Sequence, residues 1–146
     1  QQVNTPFHID NAGDQSFLML GYEPSEIASE LSLADFHRYA KADLKASENY
    51  LNTFEPVFTA NESQLAPFTT TLNSFKEDSY NLVIINNSHP RSPETLGVFH
   101  KAHIKNSDLQ KSRIVNSMLI NMVDESFENK TEPSETNFID TSIISK

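Results

Sequence analysis

Histidine and carboxylate side chains have the widest chemical reach in this chain, because it contains no cysteine. That absence removes disulfides, thiolate nucleophiles and Cys-ligated metals. Among the five histidines, His100 and His103 suggest a metal pair. On a strand, however, residues three apart point to opposite faces and do not converge. Asp10, Asn11 and Asp14 are calcium-loop residue types without the regular alternation and terminal Glu that such a loop needs. They read better as an Asx turn capping a helix. Glu23, Glu26 and Glu30 fall on one face of an expected helix and read as a solvated surface. No Gly-x-Ser-x-Gly elbow is present, and three glycines in the whole chain cannot build a phosphate loop. These residues therefore predict no metal site and no catalytic group.

The chain that must position such groups has 146 residues, the length of one domain with a single core. Ten Phe and four Tyr supply the aromatic area for it. The formal net charge of −9 argues against direct nucleic-acid contact, which needs clustered Lys and Arg. Lys101, His103 and Lys105 are too sparse for a phosphate-binding stripe. No window has the apolar length of a membrane span, so no membrane contact is expected. The sequons at Asn61, Asn86 and Asn129 read as incidental in a chain rich in Asn and Ser.

Local punctuation predicts the elements. A short extended start is limited by Pro6. Helices are expected over 16–20 and 24–31, the first closed at Gly21 by a positive φ. Ser32 and Asp35 form an approximate capping box for another helix. The spacing of Phe36, Tyr39, Ala40, Leu44, Tyr50, Leu51 and Phe54 carries that helix to Pro56. Strands are expected over 68–75, 80–87 and 95–104, with 80–87 central because Leu82 to Ile85 is continuously apolar. Val115, Met118, Leu119 and Met122 at i, i+3, i+4 and i+7 predict an amphipathic helix over 107–125. An acidic linker over 126–136 follows, then a strand over 137–146 that would complete a sheet edge.

The order Phe7-His8-Ile9-Asp10-Asn11, then Phe17 to Leu20, Gly21-Tyr22-Glu23-Pro24-Ser25-Glu26-Ile27, Asp35-Phe36-His37 and Asp43-Leu44 resembles a PAS domain, a sensor and interaction module. The resemblance covers about residues 3 to 104. It implies an α+β fold, a PAS-like antiparallel sheet with inserted helices and a C-terminal amphipathic helix: a core over 1–106, a helix over 107–125, the linker and the terminal strand. It also implies that His37 is structural, although the usual following Pro is missing. Haem is not expected, since Leu44 to Phe54 holds no His. A light-driven flavin adduct is impossible without Cys.

The function that this resemblance implies is non-enzymatic: a sensory or protein-interaction domain of a larger signalling or transcription-regulatory protein, while the richness in Gln, Asn and Ser points to the cytoplasm or nucleus. Its ligand pocket would be lined by Phe36, Tyr39, Leu44, Phe54, Phe68, Leu72, Ile84 and Phe99, unless these residues simply fill the core, which dense packing favours. Val115, Met118, Leu119 and Met122 would either pack back on the chain's own sheet or meet a protein partner or a second copy of the chain. The ligand itself is not specified. Two alternatives stand beside this one: an extracytoplasmic small-molecule sensor, and a small enzyme using the same cavity.

Overall fold

The computed structural model describes residues 3–10, 15–43, 54–72, 75, 78–89, 97–108 and 110–122. Among these residues, six strands and one α-helix follow in the order β1 (Ser16–Tyr22), β2 (Ser29–Asp35), α1 (Phe36–Asp43), β3 (Thr69–Leu72), β4 (Asn81–Asn86), β5 (Val98–Ile104) and β6 (Val115–Asn121). Two 3-10 turns, Glu62–Gln64 and Ala66–Phe68, precede β3. The strands form two antiparallel three-stranded sheets, ordered β4-β1-β6 and β3-β2-β5.

Side-chain alternation decides how the sheets stack. Leu18, Leu20, Tyr22 and Ile85 point inward from the first sheet and share a cluster with Leu31, Leu33, Leu72 and Val98 of the second. The sheets therefore pack face to face over a common apolar layer, as in a sandwich. A second cluster lies behind the β3-β2-β5 sheet. There Phe7, Ile9, Ala34 and Phe99 meet Phe36, Tyr39 and Ala40 of α1, with Leu65.

The extended start of the chain lengthens the second sheet. Thr5 N–H donates to Ala102 O at 3.0 Å, while His8 and His100 exchange backbone hydrogen bonds. On its other side, Ile9 N–H donates to Pro56 O, and Phe58 N–H to Phe7 O. Residues 4–10 thus lie between β5 and residues 56–58. Among the described residues, no helix is long and apolar enough to cross a membrane.

The α+β, mostly antiparallel character matches expectation, and β3, β4 and β5 fall within the three expected strands, but β4 is an edge strand with Leu82 and Ile84 exposed, not the central strand that its apolar run suggests. Three helical expectations are corrected. Residues 16–22 form a strand that runs through Gly21 without a positive φ. Residues 29–35, half inside the expected helix 24–31, form the central strand of the second sheet. Residues 115–121 form β6 rather than a helix, pairing with β1 from Tyr22↔Val115 to Ser16↔Asn121. In each case pairing with a neighbour outweighs local helical spacing. Helix α1 occupies only Phe36–Asp43 of the stretch expected to reach Pro56, of which 44–53 lie outside the described residues. The linker 126–136 and the strand 137–146 also lie outside them.

Candidate metal centre

His8 and Asp10 are two residues apart on an extended segment, so their side chains share a face. Phe7 and Ile9 take the opposite face and pack behind the sheet. His100 stands directly across from His8 in β5, and opposed residues of an antiparallel pair also share a face. Val98 on one side of His100 belongs to the layer between the sheets. The two imidazoles and the carboxylate are therefore delivered to one inward-facing point by two adjacent segments.

The geometry there is tight. Asp10 Oδ1 lies 3.4 Å from His8 Nε2 and 3.8 Å from His100 Nε2. The three donor atoms all fall within 4.8 Å of one another, and all three residues are buried. Ligands held at about 2.1 Å from one ion sit roughly 3.0–3.4 Å apart. The cluster therefore needs only a small contraction to hold a divalent cation.

Electrostatics favours a cation as well. Pro6 O accepts a hydrogen bond from His8 Nδ1 at 2.8 Å, which leaves Nε2 as the ring nitrogen that faces Asp10. Such an outer hydrogen bond orients a ligating imidazole. Burial holds His100 down at about 3, reinforced by neighbouring His8 and opposed by Asp10, so its ring is neutral, as a metal ligand must be. Asp10 Oδ1 is buried and accepts no hydrogen bond among the described residues. A buried carboxylate oxygen without a hydrogen bond is costly unless a positive charge joins it.

A polar lattice fixes the Asp10 backbone. Asp10 N–H donates to Asn87 Oδ1 at 3.1 Å, and Asn87 Nδ2 returns a bond to Asp10 O at 3.4 Å. Asn87 N–H donates to Ser16 O, Ser16 N–H to Ser88 Oγ, and Ser16 Oγ to Asn87 O. These contacts tie the Asp10 segment to the ends of β1 and β4.

Among the described residues, Arg113 is a further buried charge between the sheets, 1 % exposed. From just before β6 it reaches the start of β2, where Nη1 donates to Ser29 Oγ at 3.0 Å, and the segment preceding β2, where Nη2 donates to Ser25 O at 3.3 Å. Tyr22 lies within electrostatic reach of both Arg113 and Asp10. Burial pushes the phenol up to about 12, with Arg113 lowering it and Asp10 raising it. The phenol therefore keeps its proton and can donate a hydrogen bond.

No protein family, curated protein or solved structure matches this chain. The site is therefore read from its own chemistry.

The residues expected to line a pocket separate. Phe36, Tyr39 and Phe99 line a cavity of about 280 Å³ behind the second sheet. Phe54 and Phe68 pack against the same cluster. Leu72 belongs to the layer between the sheets, Ile84 is 63 % exposed on the outer face of β4, and Leu44 lies outside the described residues. Of the expected interface residues, Val115 packs inward, Leu119 is half-buried on the same face of β6, and Met118 and Met122 are exposed. His103 is exposed and His100 buried, so those two do diverge.

The triad was not expected from sequence. The signal for its first half is local: His8-x-Asp10 on an extended segment places both groups on one side. Its third member is ninety-two residues after His8 and depends on strand pairing, which spacing alone does not reveal.

Proposed function

We propose that this chain is a mononuclear metal oxygenase of the non-haem Fe(II) type. The observation that carries the reading is the convergence of His8, Asp10 and His100. Two imidazoles and one carboxylate, all presented from one wall, would supply three ligands and leave the remaining positions of an ion without a protein ligand from that wall. That donor set with open positions suits Fe(II) that binds dioxygen. A closed structural zinc site would need a fourth protein ligand.

Arg113 supports a co-substrate. Dioxygen takes four electrons, and hydroxylation of one C–H bond supplies two. An α-keto acid supplies the other two. One oxygen atom enters the substrate as hydroxyl. The other enters the keto acid, which loses carbon dioxide and leaves as the shorter carboxylate. A buried guanidinium is a strong carboxylate partner, and the protonated Tyr22 beside it adds a donor. Arg113 would hold the distal carboxylate of a dicarboxylic keto acid such as α-ketoglutarate while the triad holds the metal.

The test is anaerobic titration with Fe(II), or Co(II) as a spectroscopic substitute, followed by addition of α-ketoglutarate and air. One equivalent of metal and metal-dependent carbon dioxide release are expected. Tight zinc binding without keto-acid turnover would favour a hydrolytic centre, and absence of stoichiometric metal binding would overturn the reading.

A second reading is the protein-interaction role implied by the PAS resemblance. It is supported by the outer face of the β4-β1-β6 sheet, where Phe17, Leu82, Ile84, Met118 and Ile120 are all exposed, an apolar grouping of the kind that marks contact surfaces. Sedimentation at increasing concentration, with and without Ile84→Lys, tests it. Self-association abolished by the Lys variant supports that reading, and a monomer in both cases counts against a homodimer.

A further inference from the structure

The cavity behind the second sheet is separate from the triad. Phe99 and His100 are neighbours in β5 and point to opposite sides, Phe99 into the rear cluster and His100 toward the other sheet. The cavity, of about 280 Å³, is lined by Phe36, Tyr39, Phe58 and Phe99, with Glu55 and Thr59 among its remaining residues. That volume lies near the lower edge of the roughly 300–1,000 Å³ usual for small-molecule sites.

The four rings form a closed circuit. Centroids are 6.1 Å apart for Phe36 and Tyr39, 5.6 Å for Tyr39 and Phe58, 5.9 Å for Phe58 and Phe99, and 5.2 Å for Phe99 and Phe36. Three of these contacts are edge-to-face, so the rings present faces in different directions rather than one flat stack. Each face carries the negative part of the ring quadrupole. Glu55 adds a full negative charge on an exposed side chain, held by a hydrogen bond from Thr59 Oγ1 at 3.3 Å. The same cluster already seats one cation: Lys101 Nζ lies 5.4 Å from the Phe7 centroid and pairs with Glu62.

We propose that this aromatic cavity binds a quaternary or highly methylated ammonium group. Rings on several sides and a single carboxylate suit a cation whose surface is methyl groups and which needs no hydrogen-bond acceptors. A primary ammonium has three N–H donors to satisfy, and an anion would face both Glu55 and the ring faces.

The experiment compares choline with its neutral carbon isostere, dimethylbutanol, by calorimetry and by NMR of the aromatic side chains. Choline is expected to bind at least tenfold more tightly, with shifts confined to the cavity rings. Phe58→Leu keeps an apolar filler without a π face and is expected to weaken choline at least tenfold. Glu55→Gln, at an exposed position, is expected to weaken it several-fold. Equal binding of the isostere, no choline binding, or unchanged affinity in Glu55→Gln together with a folded Phe58→Leu would each overturn the proposal. Metal binding at the triad is expected to stay unchanged in both variants, so failure here is distinguishable from failure of the oxygenase reading.

Discussion

His8 and His100 face each other across an antiparallel bridge, exchanging backbone hydrogen bonds of 3.0 and 2.9 Å. The pairing sets their ring centroids 4.1 Å apart, and Asp10, one pleat further along, joins them on the same face. Backbone register, rather than any local motif, creates the donor cluster. Each element that holds the register therefore bears on metal affinity.

Asp10→Asn tests the cluster most directly. The variant keeps shape and removes the charge that would neutralise a cation. Co(II) affinity, followed by absorbance or calorimetry, is expected to fall at least a hundredfold. The metal-free variant is expected to be as stable as the parent or more so, because a buried carboxylate with a hydrogen-bond-free oxygen has been removed. Chemical unfolding in chelator checks this second outcome, and a marked loss of stability would contradict the electrostatic account.

Acid sensitivity follows from His100. Unfolded, its ring takes a proton near the ordinary 6.5; folded, burial delays this to about 3. Between those values the unfolded chain holds more protons, so stability falls as pH drops from about 6.5 toward about 3 and this contribution levels off below. The slope from one such group is at most about 1.4 kcal/mol per pH unit. Urea midpoints of metal-free protein over this range should drop less steeply in His100→Gln, and parallel curves would rule His100 out as the cause.

The strands of the second half are legible from β-branched and aromatic residues in Thr69 to Leu72 and Val98 to Ile104, and from the apolar run Leu82 to Ile85, although that run marks an edge strand with Leu82 and Ile84 exposed. The first half misled because Leu18, Met19 and Leu20 are good helix formers followed by Gly21 and Pro24. Leu31 and Leu33 did alternate as a strand, but acidic neighbours suggested a helix. In β6, Val115, Met118, Leu119 and Met122 fit a helical stripe by coincidence, while Ile114, Val115 and Ile120 carried the β signal. Two of the three candidate ligands, His8 and Asp10, are local in sequence. The sequence sets His100 beside His103 on one strand, whereas its partner His8 lies across the sheet.

Gly21 separates the strand from the expected helix corner. A glycine closing a helix at positive φ loses stability on becoming Ala. Here Gly21 has no positive φ, and an added Cβ would meet Asn116 O at 3.7 Å, an ordinary contact. Gly21→Ala is therefore expected to stabilise the fold, by about 0.5–1 kcal/mol, through reduced backbone entropy in the unfolded chain. Denaturant unfolding gives the sign, and a loss of about 1 kcal/mol would restore the corner.

Arg113→Lys tests the co-substrate reading while keeping the charge. Lysine lacks the planar fork that pairs with a carboxylate through two bonds. The α-ketoglutarate concentration giving half-maximal carbon dioxide release should rise at least tenfold, with Co(II) affinity within about twofold of the parent. A fall in kcat at unchanged KM would mean that Arg113 does not touch the keto acid.

Met118 and Leu119 give the sharpest test of β6, because adjacent strand residues face opposite sides whereas the expected helix would put both on one stripe. Met118 pairs with Met19 and is 54 % exposed; Leu119 pairs with buried Leu18 and is half-buried. An Asp at 119 would place an unpaired charge against the layer between the sheets, and an Asp at 118 would face solvent. Leu119→Asp is expected to cost more than about 1 kcal/mol, and Met118→Asp less than about half of that. Urea unfolding of both variants, with sedimentation to account for any self-association through the outer face, measures the difference. Equal costs would mean that residues 118 and 119 share a buried face, as they would on a helix, and the pairing of β6 with β1 would have to be abandoned.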